Sequence, residues 1–154
     1  MRTHDRAPPI AEPAQRVLVV GSQLAMLRAC EEALARGALV RTCLGARAGG
    51  RAALTWDPSA IVLDHDPPTF DAAVLLRLWH GGGRFVPDVV VYSRAPREGL
   101  ELLARRHPGV EIVHAPAAPG LLWAAVARAQ RASAARRVAS SRTSGTRRRP
   151  GGAT

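Results

Sequence analysis

Residues 16–40, RVLVVGSQLAMLRACEEALARGALV, decide the fold class, because they join two apolar strands through one amphipathic helix. The run RVLVV is continuously apolar after its arginine and ends at a glycine, which is typical of a strand buried on both faces. The next segment places Leu27, Cys30 and Leu34 at helical spacing and stops at Gly37. A strand, a helix and a second strand in this order predict one unit of a parallel sheet.

The same alternation continues along the chain to residue 132. Further strands are predicted in ALVRTCL (38–44), AIVL (60–63), VPDVVVYS (86–93) and VEIVH (110–114). Further helices are predicted in GGRAALTW (49–56), DAAVLLRLWH (71–80), REGLELLARRH (97–107) and PGLLWAAVARAQRA (119–132). The pattern therefore predicts an α/β fold, a five-stranded parallel sheet flanked by five helices in a three-layer sandwich.

Composition excludes several classes of protein. All 22 basic residues of the 154 are arginine, so a phosphate-binding loop that ends in lysine, a Schiff-base lysine and a lysine general base are excluded. The sequence contains no apolar run of membrane-spanning length and no signal-peptide core at its start, and we expect a cytoplasmic protein. The two cysteines, Cys30 and Cys43, lie in apolar segments, which favours buried hydrophobes over a disulfide or a metal pair.

The net charge of +10 is concentrated near the C-terminus. Residues 132–154 carry six arginines and no acid, and they are rich in Ser, Thr and Gly. Such a segment buries too little apolar surface to offset its ordering entropy, so the sequence predicts a disordered Arg-rich tail, and residues 1–15 a disordered leader. The domain would then span residues 16–131. Within the tail, Arg147, Arg148 and Arg149 are candidate contacts for a nucleic acid or another anion.

In an open parallel sheet, binding and chemistry occur where the strands end. The polar or small residues predicted at those ends are Gly21, Ser22 and Gln23, the segment 64–68, Ser93 and Arg94, and Ala115 and Pro116. Asp64 ends the apolar run AIVL and therefore stands where a functional carboxylate would be expected. His65 beside it is interpreted as an exposed loop histidine, and Arg94 as a solvated arginine that could also reach a phosphate or Asp64.

The chain resembles the receiver domain of two-component response regulators, which has a flavodoxin-like fold. The resemblance covers residues 16–131. It rests on RVLVV as first strand, GRAAL (50–54), DPSAIVLD (57–64), Pro68, Asp71, VVVYS (89–93) and the Ala115–Pro116 pair. It implies that Asp64 is the phospho-acceptor position and that Ser93 is the position that contacts the phosphoryl group.

Other positions depart from the family pattern. The acidic pair that holds Mg²⁺ in the family is replaced by Gly21 and Ser22, and the family lysine by Ala115. The family's switching aromatic would be Ile112. A carboxylate accepting a phosphoryl group needs a cation to neutralise the developing charge, and Asp64 with Asp66 would bind Mg²⁺ only weakly. We therefore expect no cofactor and a degenerate receiver, sometimes called a pseudo-receiver.

The resemblance implies a signalling or adaptor module, not an enzyme, that acts by protein contact. Its partner, a signalling kinase or an effector, would meet the fourth helix, fifth strand and fifth helix, at residues 100–106, 110–114 and 121–131. No membrane span is expected, and a nucleic acid could bind the tail.

Three alternatives stay open. The first is a Rossmann-like nucleotide-binding domain or enzyme, although only Gly21 of its glycine pattern is present. The second is a phosphohydrolase built on the Asp64–Asp66 pair, although Pro68 departs from that motif. The third is a protein that associates with nucleic acid through its basic tail.

Overall fold

The computed structural model describes residues 15–82 and 87–144. Strands and helices alternate through this part of the chain, as the sequence predicts. The strands are β1 (Arg16–Gly21), β2 (Leu39–Leu44), β3 (Ala60–Leu63), β4 (Val89–Ser93) and β5 (Glu111–His114). The helices are α1 (Leu24–Leu34), α2 (Ala46–Thr55), α3 (Ala72–Gly81), α4 (Arg97–Arg106) and α5 (Pro119–Ser144).

The five strands form one parallel sheet in the order β2-β1-β3-β4-β5. This is the flavodoxin-like order, in which the direction of strand addition reverses between β1 and β3. It differs from the classic dinucleotide-binding order 3-2-1-4-5-6. The predicted fold class is therefore confirmed. The Rossmann-like alternative loses the topology on which it depends.

Helices cover both faces of the sheet, so each face has its own apolar core. On one face α1 and α5 pack over alternate residues of β1, β3 and β4, including Val19, Val62 and Val90. On the other face α2, α3 and α4 pack over the residues between them, including Leu18, Ile61 and Val91. Strands β3 and β4 are buried throughout, which is why their sequences read as continuous apolar runs.

Both cysteines are buried and unpaired, as their apolar surroundings predict. Cys30 lies on the buried face of α1. Burial raises the pKa of its thiol to about 12, and the nearby Asp64 carboxyl adds to the shift. A thiol with so high a pKa is almost never a thiolate, so Cys30 acts as a small apolar side chain.

Helix α5 corrects one expectation from the sequence. It continues to Ser144, so residues 132–144, predicted to be disordered, are helical. Alanine and arginine are strong helix formers, and extending a helix avoids the cost of nucleating one. Ser133 is buried and its hydroxyl accepts a hydrogen bond from the Asp88 amide at 2.7 Å, while Arg136 pairs with the Asp88 carboxylate. The domain therefore extends beyond residue 131.

Residues 1–14, which make up nearly all of the predicted leader, and residues 145–154, which include Arg147, Arg148 and Arg149, lie outside the described residues. Among the described helices, none combines the length and the hydropathy needed to cross a bilayer.

Candidate functional site

A cavity of about 320 Å³ lies at the carboxyl ends of the central strands. It opens between α1 and the loops that follow β3, β4 and β5. Its walls combine polar residues with the apolar side of α1: Gln23, Ala25, Met26, Ala29, Asp64, Asp66, Tyr92, Ser93, Arg94 and Ala115. The fold therefore brings Asp64, Asp66, Ser93, Arg94 and Ala115, which the sequence singles out, to one site.

Asp64 follows the last residue of β3, and only 6% of it is exposed. Burial raises the pKa of its carboxyl above the ordinary value, and the nearby Asp66 carboxylate raises it further. Backbone N–H groups of His65 and Ser22 donate hydrogen bonds to the carboxyl and oppose part of that shift. No ion pair to Asp64 forms in the described part of the chain, so its negative charge is stabilised mainly by these backbone N–H groups, with a smaller contribution from the nearby His65 side chain.

The space beside Asp64 is filled by a methionine. A Cβ atom built on Gly21 would lie 2.6 Å from Met26 Cε and 3.1 Å from Asp64 Cβ. A side chain at residue 21 would therefore displace Met26 or press on Asp64. Met26 Sδ in turn accepts a hydrogen bond from the Cys30 thiol at 3.6 Å. An apolar thioether thus occupies the place where the resemblance implies a carboxylate.

Ser22, the second replaced position, has a hydroxyl oxygen that is buried without a hydrogen-bond partner in the described structure. The neighbouring Gln23 side chain instead turns to the pocket, where its amide donates to Asp66 Oδ2 at 3.2 Å. Asp66 also closes the loop after β3, because its backbone exchanges two hydrogen bonds with Phe70, at 2.8 and 2.9 Å. These contacts hold the Asp66 side chain at the pocket wall, although Pro67 and Pro68 follow it directly in the chain.

Ser93 is 2% exposed at the end of β4. Its hydroxyl donates a short hydrogen bond to the backbone carbonyl of His65 and accepts one from the Ala95 amide at 3.0 Å. The single proton of the Ser93 hydroxyl is therefore already used in a hydrogen bond to the loop after β3. Contact with a bound group would require the hydroxyl to rotate away from His65.

His65 corrects a second expectation, since only 7% of it is exposed. Its Nδ1 accepts a hydrogen bond from the Ala72 amide at 3.2 Å and lies 3.7 Å from Asp71 Oδ1. Asp71 caps α3 by accepting from the Ala73 amide at 2.9 Å. His65 therefore ties the loop after β3 to the start of α3, which is a structural role that its position in a polar loop did not reveal.

On the opposite wall, Ala115 follows β5, and its amide donates to the Ser93 carbonyl at 2.9 Å. Arg94 is exposed at the rim and forms no ion pair within residues 15–82 and 87–144. Ile112 on β5 is partly buried against the core beneath α4. No lysine exists in the chain to occupy the room beside Ala115.

The donor set fits magnesium poorly. Mg²⁺ prefers six oxygen ligands in a near-octahedral shell, usually with more than one carboxylate in precise positions. The pocket offers Asp64 and Asp66, and no cluster of three or more His, Cys, Asp or Glu side chains suited to a metal occurs among the described residues. The Met26 methyl beside Gly21 further removes a polar position. The residues of this site therefore do not fit a Mg²⁺ ion.

The sequence alone did not identify Met26 and Tyr92 as parts of the site. Met26 lies on the same helical face as Cys30, four residues later, which reads as a core position. Tyr92 lies within the apolar β4 run, and its hydroxyl accepts from the Ala117 amide at 3.2 Å in the loop before α5. Only the packing of α1 and β4 around the strand ends brings them to the pocket.

Replacing Asp64 by Asn is expected to stabilise the protein at neutral pH by about 1–3 kcal/mol, the range associated with one poorly compensated buried polar group. Because the folded pKa of Asp64 is raised, ionisation opposes folding as the pH rises above the unfolded value near 3.8. The gain should grow as the pH rises through the folded pKa and vanish below pH 3.8. Urea unfolding at a series of pH values measures it.

The matched control for this prediction is Glu32→Gln, which removes one carboxylate from the exposed side of α1. It should change the unfolding free energy by less than about 0.5 kcal/mol at every pH, as is usual for surface substitutions. A destabilised Asp64→Asn protein at pH 7 would contradict the interpretation of Asp64 as a strained buried acid.

The fold and the position of the pocket define a class: the structure has the receiver-domain fold. Solved structures with this fold align over most of the chain, at identities of 15–18% that establish the fold alone. No family model matches the sequence, and no curated protein matches it.

Three of these structures illustrate the similarity. A response regulator receiver domain protein (CheY-like) from Methanospirillum hungatei is 15% identical, with a TM-score of 0.69 over 80% of this chain and 99% of its own. The signal receiver domain of an HD domain-containing protein from Pseudomonas fluorescens is 15% identical, with a TM-score of 0.70 over 80% and 99%. A response regulator receiver domain protein from Clostridium thermocellum is 18% identical, with a TM-score of 0.66 over 76% and 94%.

Proposed function

We propose that this protein is a degenerate receiver-like signalling module, which acts by contact with a partner protein and independently of Mg²⁺-dependent phosphorylation. The observation that carries the proposal is the Met26 methyl 2.6 Å from the Cβ position of Gly21. Gly21 has no side chain and the Met26 methyl takes up the adjacent space, so neither residue supplies an oxygen ligand for a cation beside Asp64. Phosphoryl transfer to a carboxylate needs such a cation. The receiver-domain fold of the solved structures supports the signalling class.

Two further features support the loss of a phosphorylation switch. Ala115 offers only a methyl group at the position of the family lysine, so the residue at this position cannot hold a phosphoryl group by charge. The raised pKa of the Asp64 carboxyl, caused first by burial, supports this loss, because burial disfavours even the single negative charge of the ionised carboxylate. Adding a dianionic phosphoryl group to this site would be more costly still.

The proposed docking face comprises α4, β5 and α5. Glu111 on β5 pairs with Arg128 on α5, so the strand and helix form one continuous surface. On α4, Glu101 lies 3.9 Å from Arg97 and 3.8 Å from Arg105. Leu102 of α4 is 46% exposed and Leu121 of α5 is 62% exposed. Exposed aliphatic side chains surrounded by charged residues are typical of a protein contact surface.

A backbone amide NMR titration with Mg²⁺ and then with beryllofluoride, a phosphoryl mimic, tests the proposal. The wild-type protein should show no saturable shifts at Asp64 or Ser93 at millimolar metal. The matched variant Ser22→Asp/Met26→Ala adds a carboxylate at the buried Ser22 position and removes the methyl group beside Gly21, so it should gain saturable Mg²⁺ binding.

The opposite result in the wild type would overturn the proposal. Saturable shifts that begin at Asp64, reach α4 and α5, and disappear in Asp64→Ala would mean that the phosphorylation switch is intact. A fold check by thermal unfolding accompanies each variant, so that lost shifts are not confused with lost structure.

A further inference from the structure

The end of the sheet opposite the cavity carries a patch of unusual charge. Between Glu32 and Asp57 the chain has four arginines and no acid. The patch, which we call the Trp56 patch, comprises Arg16, Arg41 and Trp56. It lies at the amino end of β1 and on β2, which is an edge strand of the sheet that the described residues form.

The parallel register explains why these residues meet. Arg41 on β2 pairs with Leu18 on β1, and Leu18 belongs to the core covered by α2, α3 and α4. Side chains two apart on a strand share a face, so Arg16 points to the same side as Leu18. Helix α2 ends on this side, and its C-cap residue Trp56 packs against the same core. The indole therefore lies close to both arginines.

Trp56 holds both guanidinium groups in place. The guanidinium carbons of Arg16 and Arg41 each lie 5.9 Å from the centroid of the Trp56 ring, within cation–π range. Arg16 also donates to the Trp56 backbone carbonyl at 3.0 Å. Both arginines are exposed, and neither forms an ion pair with an acid among the described residues. Two oriented cations without a carboxylate partner form a preorganised anion contact.

The nearest acid in sequence does not neutralise the patch. Asp57, which follows Trp56, pairs with Arg137 of α5 at 3.1 Å. The extension of α5 past residue 131 therefore brings its arginines to the same end of the sheet as the Trp56 patch.

We propose that the Trp56 patch binds the phosphate backbone of a nucleic acid, without reading its sequence. A guanidinium held on an aromatic ring can still donate planar N–H groups to a phosphate. Two such groups held at one ring can contact two of the repeating phosphates of a nucleic-acid strand. An anionic membrane fits less well, because Trp56 is anchored by its backbone N–H to the Ala52 carbonyl and packs on the core, so its ring is not an inserting wedge.

Fluorescence anisotropy with labelled single-stranded and duplex oligonucleotides, over a range of salt concentrations, tests this on the full chain. The double variant Arg16→Gln/Arg41→Gln should weaken binding to all sequences equally. For single strands it should reduce the slope of log K against log salt by about 1.4, since each lost phosphate contact contributes about 0.7. The single variant Arg41→Gln, at an exposed position on the edge strand, should reduce the slope by about half as much as the double variant does.

The matched control is Arg97→Gln/Arg105→Gln, which removes the same charge from α4 at the other edge of the sheet. It should leave the slope unchanged. A second pair of proteins carries Arg147, Arg148 and Arg149 replaced by glutamine, with and without the double variant. In this background the double variant should reduce the salt slope by the same amount as it does in the wild type. Equal losses in patch and control variants, unchanged binding in the patch variants, or binding only to vesicles with 30% phosphatidylserine would each overturn the proposal.

Discussion

Ending the chain at Arg131 should lower the free energy of unfolding by about 3 kcal/mol, whereas ending it at Ser144 should change it by less than about 0.5 kcal/mol. The first truncation removes Arg136, which pairs with Asp88, and Ser133, whose hydroxyl accepts from the Asp88 amide. Asp88 is only 8% exposed in the intact domain, and the truncation removes both the cation that pairs with its carboxylate and the hydroxyl that pairs with its amide. Losing one partner of such a pair is more costly than never having formed it.

Urea unfolding followed by circular dichroism measures both truncations. The point variants Ser133→Ala and Arg136→Gln separate the two contributions, and together they should account for most of the loss, with some non-additivity because both residues contact Asp88. Equal stability of the two truncated proteins would mean that residues 132–144 are a passive helix end.

Gly49→Ala and Gly50→Ala, the same substitution at neighbouring residues, should have opposite effects. A Cβ atom on Gly49 would lie 2.2 Å from Val20 Cγ1, a fully buried and conformationally stiff side chain of β1. Helix α2 would have to move off the sheet, at a cost of about 1–3 kcal/mol or more. On Gly50 the nearest atom would be Leu75 Cδ2 at 3.7 Å, an ordinary contact. There alanine should stabilise α2 by about 0.5–1 kcal/mol.

Chemical denaturation of the two variants measures this difference, and a third variant tests its cause. In Val20→Ala the obstructing methyl groups are absent, so adding Gly49→Ala should cost less than it does in the wild type. An equal cost in both backgrounds would place the origin of the effect elsewhere than in the contact between α2 and β1.

The order of elements and the sheet type could be predicted because they depend on local patterns. Continuous apolar runs at β1, β3 and β4 and helical periodicity between them leave few arrangements in which every apolar face is buried. The site positions Asp64 and Ser93 were predictable for the same reason, since parallel strands place their carboxyl ends at one edge.

The contacts that give each site its character were not predictable, because they join residues distant in sequence. Met26 fills the space beside Gly21 only because α1 packs back over the strand end. His65 looks like a loop residue until the start of α3 covers it. Similarly, the helical segment 132–144 lacks an apolar face, and its order depends on Asp88, more than forty residues earlier.

The amino-acid sequence by itself therefore determined the α/β architecture, the absence of lysine chemistry and the placement of Asp64 at a strand end. Tertiary structure alone decided that the space beside Asp64 is apolar, that α5 continues to Ser144, and that the Trp56 ring contacts both Arg16 and Arg41. The physical reason is that hydrophobic periodicity acts over a few residues, whereas burial, ion pairing and cation–π contact depend on which distant segments the packed core brings together.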